Sequence, residues 1–295
     1  MTKVTAPAVL AAKGSRKLAM LTAYDFAAAR LAEAAGVDML LVGDSLAMVV
    51  LGHEDTLSVT MEEMLHHTRA VSRGAKDALV VADMPFLSYQ VSVPEAVANA
   101  GRFLKEGRAG AVKLEGGREV LPQVRAIVAA GIPVIGHVGL TPQHVAALGG
   151  FKVQSKTAEA AARLLDDALA LAEAGCFAVV LECIPAAVAA VVTQRLPVPT
   201  VGIGAGADCD GQVLVFHDVL GLYDRFLPKF VKQYAKLGDL AVEALTQWTD
   251  AVRNGVFPGP EHVFSMAPDA YAAFVSRTNT DATAAGPEAT EGDPA

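Results

Sequence analysis

The chain has 295 residues, 53% of them apolar, which is enough for one large core, and a formal charge of −8 without any Lys/Arg cluster. That balance argues against nucleic acid or an anionic membrane surface as the main partner and leaves a small molecule as the expected ligand. Cys176, Cys183 and Cys209 are odd in number and form no C-x-x-C pair, so neither a disulfide framework nor a zinc site is suggested; they read as small buried hydrophobes of a reducing compartment. Lys3, Lys13, Arg16 and Lys17 near the start are not followed by a long apolar segment, so no secretory signal is expected and the cytoplasm is the expected location. Residues 126–151 carry no formal charge, but Gly131, Pro133, Gly136 and Pro142 interrupt them, and they read as interior of a water-soluble protein.

In chain order, short apolar runs at 18–22, 39–43, 79–82, 111–114, 133–136, 178–181 and 199–203 read as buried parallel strands, with an eighth around 213–215. Helical patterns lie between them at 26–35, 61–74, 94–106, 120–130 and 158–174, and Gly36, Gly74, Gly107, Gly131 and Gly175 stand where C-caps are expected. Thr60 and Glu63 have the spacing of a capping box. This alternation predicts an α/β fold, a (β/α)₈ TIM barrel, as a single domain over residues 1–277 that ends in helices. Residues 278–295 lack large apolar side chains and are expected to form a disordered acidic tail. The connection 46–59 is long for this architecture and reads equally as a lid or as an ordered excursion. His66 and His67 fall inside a helical pattern without a spaced acidic partner and are read as packing or solvated residues.

Barrels of this kind build their active sites at the C-terminal ends of the strands, and polar residues recur there. The runs lead into Gly43-Asp44-Ser45, Asp83-Met84-Pro85, Lys113-Leu114-Glu115, His137 and Glu182. Singly, each is as well explained by a turn, a cap or a satisfied core histidine. Together they would bring four carboxylates to one apolar mouth, where a cation, a lysine or protonation must compensate them. Oxygen ligands from Asp44, Asp83 and Glu115 suit a hard ion such as Mg²⁺ or Mn²⁺. A 2-oxo acid would be a bidentate ligand for such an ion, Lys113 and Ser45 could meet its carboxylate, and Glu182 is the carboxylate left over as a base. Gly202-Ile-Gly-Ala-Gly206 could cradle a phosphate or form a tight turn.

The strings Met20-Leu-Thr-Ala-Tyr-Asp25, Leu41-Val-Gly-Asp-Ser45, Ala82-Asp-Met-Pro-Phe86, Val112-Lys-Leu-Glu-Gly-Gly117, Gly136-His-Val-Gly-Leu-Thr-Pro-Gln143, Leu181-Glu-Cys-Ile-Pro185 and Val201-Gly-Ile-Gly-Ala-Gly206 closely resemble the ketopantoate hydroxymethyltransferase family, in order along nearly the whole chain. The resemblance implies a barrel of the phosphoenolpyruvate-binding type that uses Mg²⁺ and 5,10-methylenetetrahydrofolate on 3-methyl-2-oxobutanoate. It implies metal ligands at Asp44 and Asp83, with Glu115 as a third that can act through water. It further implies substrate contacts at Asp44, Ser45, Asp83 and Lys113, His137 in the same pocket, and Glu182 as the proton acceptor. Large homo-oligomers, such as a decamer of two stacked pentameric rings, are implied as well. Ser155, where many relatives have glycine, and Ala207-Asp-Cys-Asp210 depart from the pattern and bear on the folate side of the pocket. A related lyase- or phosphonopyruvate-type barrel would carry a reactive cysteine in a Lys-Lys-Cys-Gly-His-type loop, which is absent here. A non-catalytic 2-oxo-acid sensor would have no need of the base.

Overall fold

The computed structural model describes residues 3–283, with side chains through Thr278. Eight parallel strands close into one barrel in sequence order: β1 (Leu18–Thr22), β2 (Met39–Val42), β3 (Leu79–Asp83), β4 (Ala111–Glu115), β5 (Val134–Gly139), β6 (Ala178–Glu182), β7 (Thr200–Ile203) and β8 (Gly211–Leu214). Strands 2 to 7 are buried along almost their whole length, which is why they read as continuous apolar runs and not as alternating ones. Around them run α1 (Ala6–Ala11), α2 (Phe26–Ala34), α3 (Leu46–Val49), α4 (Met61–Gly74), α5 (Val93–Lys105), α6 (Leu121–Ala129), α7 (Val145–Leu148), α8 (Ala158–Glu173), α9 (Ala186–Arg195) and α10 (Phe216–Leu220). One apolar cluster fills the space between sheet and helices. A second, including Met20, Met39, Leu41, Val81, Ile135 and Val213, fills the barrel, and Ala6, Val9 and Ala12 join it, so the N-terminal helix closes the floor.

The elements start and stop for local reasons. Thr60 and Glu63 form the expected capping box on α4. Gly36, Gly131 and Gly175 hold the left-handed φ of a helix C-terminus, at 80°, 82° and 104°. Gly74 serves otherwise: a Cβ there would lie 2.7 Å from that of Ala29, so it permits close approach of α4 to α2. The 46–59 connection is an ordered excursion with Leu46, Ala47, Thr56 and Val59 buried. His67 packs with its Nδ1 2.5 Å from the Tyr24 carbonyl oxygen. All three cysteines are free.

Three features differ from the expected pattern. Strand β8 starts at Gly211, where a Cβ would lie 2.6 Å from the Leu18 carbonyl oxygen, two residues before the apolar run that signals it. Its connection from β7, residues 204–210, contains no helix and so shows no helical period. Strand β5 continues past His137 to Gly139, because its pairing with β6 extends to Gly139↔Glu182.

By Cα proximity the chain divides after Gly238, where a single domain through residue 277 was expected. The second unit contains most of α11 (Leu237–Arg253) and all of the described α12 (Pro268–Thr283). The expected tail from Thr278 therefore begins inside α12, and residues 284–295 lie outside the described residues. Among the described residues, no helix is long and apolar enough to cross a membrane.

Candidate active site

Strand register builds the site. Parallel pairing sets Asp83 beside Lys113, Glu115 beside His137, and Gly139 beside Glu182. Residues two apart on a strand share a face, so Lys113 and Glu115 point the same way, and the pairing sets His137 next to them. Asp44 follows β2, and its backbone N–H donates to Asp83 Oδ2 at 3.1 Å. Lys113 Nζ is 2.7 Å from Asp83 Oδ1 and 4.0 Å from Glu115 Oε1. His137 joins both sides of the mouth: Nδ1 is 3.1 Å from Lys113 Nζ and 3.4 Å from Glu115 Oε1, while Nε2 is 3.1 Å from Glu182 Oε2. Ser45 Oγ lies 2.9 Å from the Tyr24 hydroxyl. The seven residues read from the sequence, Asp44, Ser45, Asp83, Lys113, Glu115, His137 and Glu182, all line one cavity of about 360 Å³.

Burial makes the electrostatics severe. It drives the Asp44 carboxyl well above the usual range, and the charges of Asp83 and Glu115 push the same way. Burial also raises Asp83, against the pull of Lys113. At Glu115 burial is outweighed by His137, Lys113 and the Gln143 N–H, and its carboxyl falls below the ordinary value. Lys113 is charged throughout the working range, because Asp83, Glu115 and Asp44 together overcome its desolvation. Burial and Lys113 oppose a proton on His137, but the two glutamates prevail and raise it to about 9. The mouth therefore holds more buried carboxylate than its one lysine and one histidine offset, which suits a divalent cation.

The donor set fits such an ion in part. Asp44 and Asp83 are adjacent carboxylates with raised pKa values, and oxygen donors without sulfur favour a hard ion. Both Glu115 oxygens already face protein groups, Oε2 accepting the Gln143 N–H at 3.0 Å and Oε1 facing His137, which suits a contact through water. Among the described residues no three or more acidic, histidine or cysteine side chains stand ready as a cage, since Lys113 and Gln143 engage Asp83 and Asp44.

Four residues of this site were not singled out by sequence reasoning. Gln143, buried after β5, donates from Nε2 to Asp44 Oδ2 at 3.0 Å and to the Met84 carbonyl at 2.9 Å. Its Oε1 accepts from the Tyr89 hydroxyl at 2.7 Å. Tyr89 in turn accepts the Glu115 N–H at 3.1 Å, so one neutral side chain ties together the ends of β2, β3 and β4. Tyr24 holds Ser45, and Asp218 in α10 lines the cavity with its carboxyl pushed up to about 6 by burial. Gln143 and Tyr24 lay inside strings that carry the family resemblance, which was the only signal for them; nothing local marked Tyr89 or Asp218.

Comparison with known proteins matches this geometry. The chain is 69% identical over 265 residues to the 3-methyl-2-oxobutanoate hydroxymethyltransferase of Syntrophobacter fumaroxidans, covering 90% of this chain and 94% of that protein. It is 62% identical to the enzyme of the same name from Oleidesulfovibrio alaskensis, covering 90% and 92%. Among solved structures, a phosphonopyruvate hydrolase superposes with a TM-score of 0.58 at 16% identity, covering 97% of this chain and 99% of that one. A 2,3-dimethylmalate lyase of the PEP mutase/isocitrate lyase superfamily gives 0.55 at 18% identity, covering 96% and 99%. At such identities these two structures establish the shared barrel fold alone. The model for ketopantoate hydroxymethyltransferase matches residues 3–260. With that span and those identities, the chain belongs to the ketopantoate hydroxymethyltransferase family, a family of one-carbon transferases.

Proposed function

We propose that the chain transfers a hydroxymethyl group from 5,10-methylenetetrahydrofolate to 3-methyl-2-oxobutanoate, giving 2-dehydropantoate and tetrahydrofolate in the route to pantothenate and coenzyme A. The observation that carries this reading is the single cavity in which a buried lysine and several carboxylates meet a fourth acid, Glu182, that stands apart from them on β6. The reaction balances with one water. The C3–H of the 2-oxo acid loses its proton, a bond forms from C3 to the one-carbon unit, that carbon parts from the folate nitrogens, and water supplies the hydroxyl.

Asp44 and Asp83 would hold Mg²⁺, with Glu115 behind them, and the ion would polarise the ketone and acidify the neighbouring C–H. Lys113, kept cationic by Asp83 and Glu115, faces the substrate carboxylate, and Ser45, steadied by Tyr24, donates to it. Glu182 accepts the C3 proton. His137 spans from Glu182 to Glu115 and, with a pKa raised to about 9, stands as a cation between the two carboxylates and orients Glu182. Homo-oligomeric assembly of decameric type and a cytoplasmic location rest on the family resemblance.

Proton NMR of 3-methyl-2-oxobutanoate in D₂O tests the reading. With enzyme and Mg²⁺ the C3 proton should exchange, and with methylenetetrahydrofolate added a hydroxymethyl signal should grow. Exchange without any transfer would reduce the protein to an enolising binder, and neither signal would remove the reading altogether.

A further inference from the structure

One acid in the carboxylate cavity takes no part in holding the metal, binding the 2-oxo acid or removing its C3 proton. Asp218 follows β8, in the first turn of α10, and is 7% exposed. It borders the same cavity as Glu182, which enters from β6, two strands away around the barrel. Hydrogen bonds fix α10 at both ends: the Phe216 N–H donates to Thr22 Oγ1 at 2.8 Å, and the Leu222 N–H donates to the His217 carbonyl at 2.8 Å. An acid in a first helical turn ordinarily finds an N–H of the helix start. Asp218 accepts no hydrogen bond and joins no ion pair among the described residues, so it is not bonded to Asp44, Asp83 or Glu115. Burial raises its carboxyl to about 6. A buried acid left without a partner costs stability, and such exceptions to local rules gather at functional sites.

We propose that Asp218 is a second proton carrier of the site, moving protons from water to the folate nitrogens while Glu182 serves C3. The assignment rests on the transferase reading above. Three protons change place in that reaction, one from C3 and two from water, and they finish on two folate nitrogens and one new hydroxyl. Glu182 holds one proton at a time, and it is occupied from enolisation until the new bond to C3 is made. The oxygen of water bonds to the one-carbon unit, and the two C–N bonds break in turn with their electron pairs going to nitrogen. Each water proton passes through the Asp218 carboxylate to one of those nitrogens. The unit set free is formaldehyde; the C3 enolate adds to it, and Glu182 gives its proton to the resulting oxygen. Neighbouring groups are less suited to this work. Lys113 is bound to Asp83, His137 stands between Glu115 and Glu182, and burial pushes the Cys183 thiol up to about 12. A carboxyl that titrates near 6 can both take and give a proton close to neutrality.

The two halves of the reaction can be followed separately in the whole protein with Mg²⁺. Asp218→Asn keeps the shape and removes the carboxylate. Product formation from methylenetetrahydrofolate should fall about a hundredfold, read as an initial rate against a blank for formaldehyde released in solution. C3 exchange in D₂O should stay within about twofold of the wild type, and so should product formation from added formaldehyde, which needs neither water nor folate. At mildly alkaline pH the variant should melt at or above the wild type, because a carboxyl whose pKa the fold raises costs stability once it is ionised. Asp218→Glu keeps a carboxyl and should lose less of the folate-supported rate than Asp218→Asn; equal losses count against a carrier of protons. Transfer from the folate within about threefold of the wild type in Asp218→Asn overturns the assignment, as does a loss that exchange and the formaldehyde route share. A wild type that makes no product from the folate removes the transferase reading and this assignment with it. Wild-type turnover beside an unimpaired Asp218→Asn removes the assignment alone.

Discussion

Glu182 ends β6 with one oxygen 3.1 Å from His137 Nε2, and His137 in turn stands 3.4 Å from Glu115, so the assigned base is held in position by a neighbour that is itself anchored on β4. Glu182→Gln keeps the shape and removes proton acceptance. Turnover and C3 exchange should both fall on the order of a hundredfold, with KM for the 2-oxo acid nearly unchanged. Exchange at the wild-type rate in that variant would pass the role to His137. The acids, the lysine and the histidine were legible in the sequence because a charge at the end of a buried strand is costly and therefore conspicuous. Gln143 was not marked out in that way, although its side chain bonds Asp44, Tyr89 and the Met84 carbonyl at once. A neutral polar residue has no period, charge or spacing, and its value lies in what the fold places around it.

At the scale of elements, the position of Glu182 depends on how closely β5 and β6 approach. Gly139 has a φ of 101°, and a Cβ there would lie 2.2 Å from the Glu182 carbonyl oxygen, the same oxygen that accepts the Leu140 N–H at 2.8 Å. Gly139→Ala must therefore strain the backbone and push the end of β6 away. We expect a loss of roughly 2 kcal/mol or more in a denaturant melt, together with a lower kcat, since strain at such positions is among the larger mutational effects. A variant that melts like the wild type while losing turnover would show that β6 shifts without destabilising the barrel. The strands and the longer helices were legible from apolar runs and the 3.6-residue period, and α4 from its capping box. The start of β8 and the helix-free passage from β7 were not, because Gly211 and residues 204–210 lack the side chains that make either pattern.

For the whole molecule, the barrel concentrates negative charge at one end of a low-dielectric core. A carboxyl whose pKa in the fold lies above its unfolded value costs stability once the pH passes the unfolded value, and the full cost is reached above the folded one. Asp44 is such a group, so at neutral pH Asp44→Asn should melt higher than the wild type in the absence of metal. Mg²⁺ should reverse that order. At a hundred times its Kd it should add about 2.7 kcal/mol to the wild type, or roughly 4 °C in Tm for a chain of this size, and far less to the variant. Equal shifts in the two proteins would place the ion elsewhere.

The sequence by itself determined the number and order of the strands, the barrel they close into, and which charged residues stand at their ends, because burial on both faces and the strand-helix rhythm are properties of neighbours along the chain. Only the tertiary structure decided that Lys113 pairs with Asp83, that Gln143 spans three strand ends, and that Asp218 borders the cavity of the other acids. Those are relations between residues far apart along the chain, fixed by barrel closure and register, and local patterns in a single sequence carry no record of them.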